Sequence, residues 1–310
     1  MKNTTQVLAV ILPVIVMVAL GMGAKKWKIL SQKGVDEIKS VLINICLPAV
    51  VFRTFYSTEF TWEVVTLVLM MAAVTFAAYE LGRVVSRLLH IPYGMAAYLC
   101  TSIEGGMMGY ALFILLFGQD NLYHLAFLDL GNTLIVFPVL LTKLRMRSRS
   151  GGSRKDILQS LFSPVNIAIL SGILLSVSGI GKNITASAAG DVLNSILSFV
   201  SAPTSALILL AVGYGLSFSD VPWTAVLKTV LARIIIYGVF GFIVFRAAAS
   251  LFPEDRLYQY GVVMAFILPP SYAYTVFAED GEETAYTGAV LALYTILTII
   301  GYCVLAALSS

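Results

Sequence analysis

Two acidic side chains, Glu104 and Asp129, fall inside long apolar runs, each beside residues that could put it to use. Glu104 lies in LCTSIEGGMMGYALF, residues 99–113, followed by Gly105, Gly106, Met108 and Gly109; Asp129 lies in LDLGN, three residues before Asn132. An acid at the centre of a bilayer costs about 2.5–3.5 kcal/mol on insertion scales, so such residues face a cavity and carry ions or protons. Desolvation disfavours a charged carboxyl, which suits proton carriage. Plainer readings exist for each: Glu104 as the cap of the half-helix after it, Asp129 as a hydrogen-bond partner of a neighbouring span, and Asn132 as interhelical glue. Gly131 and Thr133 are expected to open space beside Asn132.

The elements that hold these residues must be membrane spans. Of the 310 residues, 59% are hydrophobic and 12% charged, and the mean hydropathy is +0.90. A soluble domain carries about 25% charged residues. Alternating strands of about 10 residues, the mark of a membrane barrel, are absent, whereas the apolar runs approach the 20 or so residues of a spanning helix. The net charge of +3 points to no nucleic-acid partner, because Lys and Arg sit between the apolar runs. Cys46, Cys100 and Cys303 lie within such runs without C-x-x-C or nearby His and read as small hydrophobes; no metal site and no cofactor is expected.

Ten spans can be drawn: 7–22, 38–55, 64–81, the interrupted 93–116 and 122–141, then, after the basic linker 143–156, 165–180, 192–216, 225–248, 258–278 and 285–307. This gives residues 1–142 and 157–310 five spans each. The run 7–21 followed by Met22-Gly23-Ala24 resembles a signal peptide, but its positive charges, Lys25, Lys26 and Lys28, come after it, the pattern of a retained first span. With the N-terminus outside, fifteen Lys and Arg fall at inner ends, Arg233 among them. Lys2, Arg53, Lys182, Arg246 and Arg256 remain outside. Both termini are therefore expected outside a cytoplasmic (inner) membrane, with the acidic turn 279–283 as the dissenting inner segment.

An odd number of spans per half forces the halves into opposite orientations, the architecture of many secondary transporters. Interruptions recur in matching places: Leu47-Pro48-Ala49 and Ala202-Pro203-Thr204, then the glycine break at 104–109 and Leu268-Pro269-Pro270-Ser271. Proline removes a donor and clashes with the carbonyl four residues back, so Pro269 and Pro270 should free the carbonyls of Ala265 and Phe266. A new half-helix should start near Ser271, and another near Gly106 to Met108, their N–H ends facing the membrane centre. Matching broken helices are the best pointer to a transport site. Tyr110, Tyr272 and Tyr274 are placed either to line a path or to pack in the core; Asn44 and Asn194 are polar groups at or in spans, Pro48, Pro138 and Pro203 each read equally as plain packing kinks, His90 and His124 are interfacial, and Glu80 pairs with Arg83.

These motifs in this order resemble the auxin efflux carrier family, whose bacterial members are often called malate or malonate permeases and whose plant members are the PIN carriers. The resemblance covers essentially the whole chain. It implies two inverted five-helix repeats in an all-α polytopic membrane protein, crossing broken helices four and nine, elevator-like movement of a transport domain, and a homodimer. Substrate contacts would come from Asn132 and the backbone of Gly105, Gly106, Met108, Gly109, Pro269, Pro270 and Ser271, and the scaffold hinges would be Pro48 and Pro203. Glu104 departs from the neutral residue of many relatives: it would repel malate unless protonated, paired with a cation, or used to hold an amino group.

The function expected is secondary transport of a small organic anion, a mono- or dicarboxylate, with Glu104 and Asp129 coupling it to H+ or Na+. The alternatives are a carrier of a cationic or zwitterionic metabolite and a ligand sensor on a transporter fold. An enzyme is not expected: there is no G-x-G-D, no H-E-x-x-H, and no nucleotide-binding G-x-x-x-x-G-K-[ST].

Overall fold

The computed structural model describes residues 4–56, 58–147, 163–216, 221–278 and 281–309, and every regular element among them is helical. In chain order these are α1 (Thr4–Lys26), α2 (Gln32–Tyr56), α3 (Trp62–Leu88), α4 (Ala96–Leu99), α5 (Tyr110–Phe117), α6 (Tyr123–Leu144), α7 (Pro164–Val177), α8 (Ile180–Thr185), α9 (Ala188–Gly215), α10 (Trp223–Leu251), α11 (Arg256–Ile267) and α12 (Gly281–Leu308). By length and composition α2, α3, α6, α9, α10 and residues 282–308 of α12 can each cross a membrane. Large apolar side chains on their outer faces, such as Leu69, Phe199, Leu231 and Phe242, are exposed; in a bilayer they meet lipid.

Local chemistry sets the ends. Ser31, Thr61, Ser163 and Ser187 cap α2, α3, α7 and α9 by accepting from the N–H three residues on, and Pro164 occupies the first position of α7, where its missing N–H is not needed. Pro48 comes just after a π-helical turn, Leu42–Cys46, within α2. Pro138 lies inside another, Val136–Leu141, near the end of α6. In α9 the helix gives way to a turn at Ala202 and Pro203 before resuming at Thr204.

Packing divides the helices into two groups. In one, α1 lies along the second half of α9, while α7 and the first half of α9 lie along the second half of α2. In the other, α3 packs on α6 and α10, α11 on α6, α10 and α12, and α4 on α3, α10 and α12; α5 lies between the groups, against the second half of α9 and α1 on one side and α6 on the other. Backbones approach closely in the first group: a Cβ on Gly213 would strike the Val18 carbonyl, and one on Gly21 the Leu210 carbonyl. The second group does the same at Gly131, where a Cβ would overlap the Val68 carbonyl of α3. Gly131 thus closes the space beside Asn132 instead of opening it.

Several expectations need correction. Arg233, counted at an inner span end, is fully buried inside α10, so in the expected orientation the count becomes fourteen at inner ends against five at outer ones. His124 is also fully buried; its ring nitrogens lie 2.8 Å from the Asn121 carbonyl and 2.8 Å from Asp255 Oδ2. Helical backbone runs on past the end of α6 to Arg147, into the linker drawn at 143–156. The rest of the linker, 148–156, and Glu279 and Asp280 of the acidic turn lie outside the described residues. Glu80 holds Arg83 at 2.6 Å.

Because the Gly213 contact is to backbone, Gly213→Leu is expected to lower the thermal midpoint of the detergent-purified protein, an overpacking cost of about 1–3 kcal/mol or more. Gly238→Leu, where a Cβ meets nothing within 4 Å, should leave it unchanged.

Candidate functional site

Both expected breaks are present and they bind each other. The first helix stops at Leu99; residues 100–104 run without regular structure, and the chain resumes as a π-helical turn, Gly105–Gly109, leading into α5. The second stops at Ile267, passes through Leu268, Pro269, Pro270 and Ser271, and resumes only as a six-residue 3-10 helix, Tyr272–Phe277. A proline pair removes two consecutive donors, and the helical piece beyond the second break is correspondingly shorter than a half-helix. The donors that remain cross between breaks: Glu104 N–H donates to the Pro269 carbonyl (2.9 Å), Ser271 N–H to Ser102 Oγ (3.2 Å) and Tyr272 N–H to Glu104 Oε2 (2.7 Å). Glu104 therefore caps the other broken helix.

Asp129 and Asn132 hold the first break from α6. The Asn132 amide pairs with both sides of the Ile103 peptide: Ile103 N–H donates to Oδ1 (3.2 Å) and Nδ2 donates to the Ile103 carbonyl (3.3 Å). Nδ2 also reaches Asp129 Oδ1 (3.2 Å), and Tyr110 Oη donates to Asp129 Oδ2 (2.8 Å). Gly105 is needed for this: a Cβ there would overlap the Asp129 carboxyl group. At Gly109 a Cβ would come within 2.6 Å of Leu268 Cδ1, so this glycine lets the two breaks pass one another.

Two residues that the sequence did not assign to the site complete the crossing. Arg233 of α10, with no exposed surface, donates to the carbonyls of Thr101 (2.7 Å), Ser102 (2.7 Å), Leu268 (3.1 Å) and Leu99 (3.4 Å). Its guanidinium carbon lies 3.9 Å from the centre of the Tyr237 ring and 4.8 Å from that of Tyr294, and Tyr237 Oη donates to the Ser102 carbonyl (2.8 Å). Ser102 adopts a left-handed backbone (φ 62°), rare for a side-chain-bearing residue. A lone arginine amid an apolar run could have flagged Arg233, since an intramembrane charge implies a partner; nothing in the sequence marks Ser102.

A cavity of about 660 Å3 opens against the crossing. Glu104, Gly105, Gly106, Tyr110, Asp129, Asn132, Ser271 and Tyr272 line it, and so do Leu47 and Val51 of α2 and Ala211 and Val212 of α9 from the other packing group. It runs toward Gln32, Asp36 and Lys39 at the start of α2. Met108, Gly109, Pro269 and Pro270 build the crossing without lining this space: Met108 and both prolines are buried, and Tyr272 Oη lies 3.5 Å from Met108 Sδ. Tyr274 is fully buried against Tyr98 and away from the cavity. At the other end, a second cavity of about 850 Å3 is lined by Arg53, Tyr56, Asp120, Asn194 and Tyr258 among others; there Tyr56 Oη donates to Asn194 Oδ1 (2.8 Å). Phe55, Phe60 and Phe127 form an aromatic cluster beside it.

Two neighbouring glycines of the cavity wall, Gly105 and Gly106, separate two effects. Gly105→Ala should displace the Asp129 carboxyl and lower the thermal midpoint by the equivalent of about 1–3 kcal/mol. Gly106→Ala, whose Cβ meets nothing within 4 Å, should keep the midpoint while narrowing the cavity.

Known proteins agree with this picture. A family model described as membrane transport protein matches residues 6–305. An uncharacterized transporter of Methanocaldococcus jannaschii is 29% identical over 255 residues, 79% of this chain and 78% of that one. Another uncharacterized transporter, from Methanothermobacter thermautotrophicus, is 24% identical over 215 residues, 67% of each chain. Family and relatives alike point to a transporter rather than an enzyme, and to a multi-pass membrane protein. The chain belongs to the membrane transport protein family, the auxin efflux carrier type that its broken helices resemble.

Proposed function

We propose that this protein is a secondary active transporter whose substrate binds at the crossing of the two breaks, and that it carries a small mono- or dicarboxylate together with H+ or Na+. The observation that carries this reading is the cavity wall itself: Glu104, Asp129 and Asn132 stand beside interrupted backbone, in a space bounded by two separately packed groups of helices. Glu104 caps one break and Asp129 presses on Gly105 of the other. A carboxylate substrate entering between them needs a neutralising cation, which gives coupling an electrostatic reason.

The movement proposed is elevator-like, α3–α6 and α10–α12 shifting against α1, α2, α7 and α9, with Pro48 and Pro203 as hinges in the stationary group. We further propose that the five spans of each half form inverted repeats, that both termini face outward from the inner membrane, and that the carrier is a homodimer. In that orientation the cavity opens inward.

A second reading, transport of an amine or zwitterion, is favoured by one observation. Arg233 is spent on backbone carbonyls, and among the described lining residues Lys39, at the start of α2, is the sole basic side chain. The interior charges facing a ligand are thus acidic.

A thermal-shift panel separates the readings: malate, malonate, amino acids and polyamines on purified protein, each with and without sodium and at two pH values. A ligand at about 100 times its dissociation constant stabilises by about 2.7 kcal/mol. Stabilisation by malate or malonate that grows as pH falls, with that pH dependence lost in Asp129→Asn or Glu104→Gln, is the expected result. Stabilisation by amines alone would replace the anion with a cation. Proteoliposome uptake that retains its ion dependence in Glu104→Ala would remove Glu104 from coupling.

A further inference from the structure

We infer that Arg233 is the positioning residue of the transport site: its guanidinium fastens the two breaks into one unit and so sets where Glu104 and Ser271 meet the cavity. The argument is geometric. Backbone that leaves a helix inside a bilayer must find other partners, and the carbonyls of Thr101, Ser102 and Leu268 find theirs on two nitrogens of one side chain. Nη2 alone spans the breaks, donating both to Ser102 and to Leu268. A planar fork with fixed donor directions does this; a lysine ammonium, a compact point charge on a flexible stem, does not reproduce it. Tyr237 and Tyr294 hold the plane in place from α10 and α12, and the Tyr237 hydroxyl adds a second donor to the strained Ser102.

Arg233 does not line the cavity. It acts through the backbone: Ser102 and Leu268 lie just ahead of the three amides that cross between breaks, those of Glu104, Ser271 and Tyr272. With the fork in place the Glu104 carboxylate is held on Tyr272 N–H; without it the breaks are free to part.

The test is hydrogen–deuterium exchange of the full-length purified protein, which needs no ligand and does not depend on the transport reading. In Arg233→Lys the peptides containing the amides of Glu104, Ser271 and Tyr272 should exchange at least tenfold faster, with α1 and α9 unchanged. Tyr237→Phe, which removes one donor to Ser102 and keeps the ring, should give a smaller rise, about threefold, at the same amides. It decides the matter if the lysine variant does not fold. Exchange within twofold of the native protein at these amides in the variants recovered, or a rise spread equally over α1 and α9, overturns the inference. Uptake of malate by proteoliposomes supplies the kinetic arm, which does rest on the proposed function: KM should rise at least tenfold in Arg233→Lys with maximal velocity within threefold. A lower velocity at unchanged KM means fewer folded carriers and no positioning role. If malate is not carried at all, the transport reading of this substrate fails while the exchange result still stands.

Discussion

Unpaired backbone inside a membrane is the constraint on which this structure rests. Each helix break releases carbonyls and amides that water cannot reach, and each released group left alone costs several kcal/mol. The protein meets this by pairing one break with the other and by supplying side chains where the pairing runs out. Asn132 serves Ile103, Glu104 serves Tyr272, and Arg233 with Tyr237 serves the carbonyls of both chain segments. None of these polar side chains is tolerable there by itself; each finds hydrogen-bond partners in the interruption it stabilises.

The pairing also sorts charge. Carbonyls at the ends of the first helical pieces gather around Arg233 on the side of α10, while the two carboxylates lie toward the cavity. The crossing is thereby divided into a closed, positively charged side that builds it and an open, acidic side that can meet a ligand. Gly105 and Gly109 let the parts come this close, the one against Asp129 and the other against Leu268.

Much of this was legible from residue types. Long apolar runs gave helices, and the glycine run after Glu104 and the Pro269-Pro270 pair marked both breaks, because these residues break helices through local geometry alone. Asp129 and Asn132 stood out as polar groups that an apolar run must accommodate. The partner that each would find could not be read. Glu104 looked like a cap for the helix that follows it, and its bond to the Tyr272 amide, 168 residues on, is invisible at the level of sequence. Arg233 looked like a span-end charge because the positive-inside rule assigns any basic residue near a boundary to a loop. Gly131 looked like an opening for Asn132, whereas it is the contact of α6 with the Val68 carbonyl. Each misreading concerns a contact between distant segments, which neither periodicity nor propensity records.

The two cavities have an electrical consequence. Along α2, Val51 lines the space at the crossing and Thr54 lines the one at the opposite end, a separation of roughly one helical turn, about 5 Å. With water in both spaces the insulating layer between them is far thinner than the hydrocarbon around the protein, and the transmembrane voltage falls largely across it. Moving one elementary charge through 100 mV is worth about 2.3 kcal/mol, and with both spaces hydrated that work is concentrated in the layer between them. A charge that moves past this layer therefore senses almost the whole membrane potential over a displacement of a few ångströms.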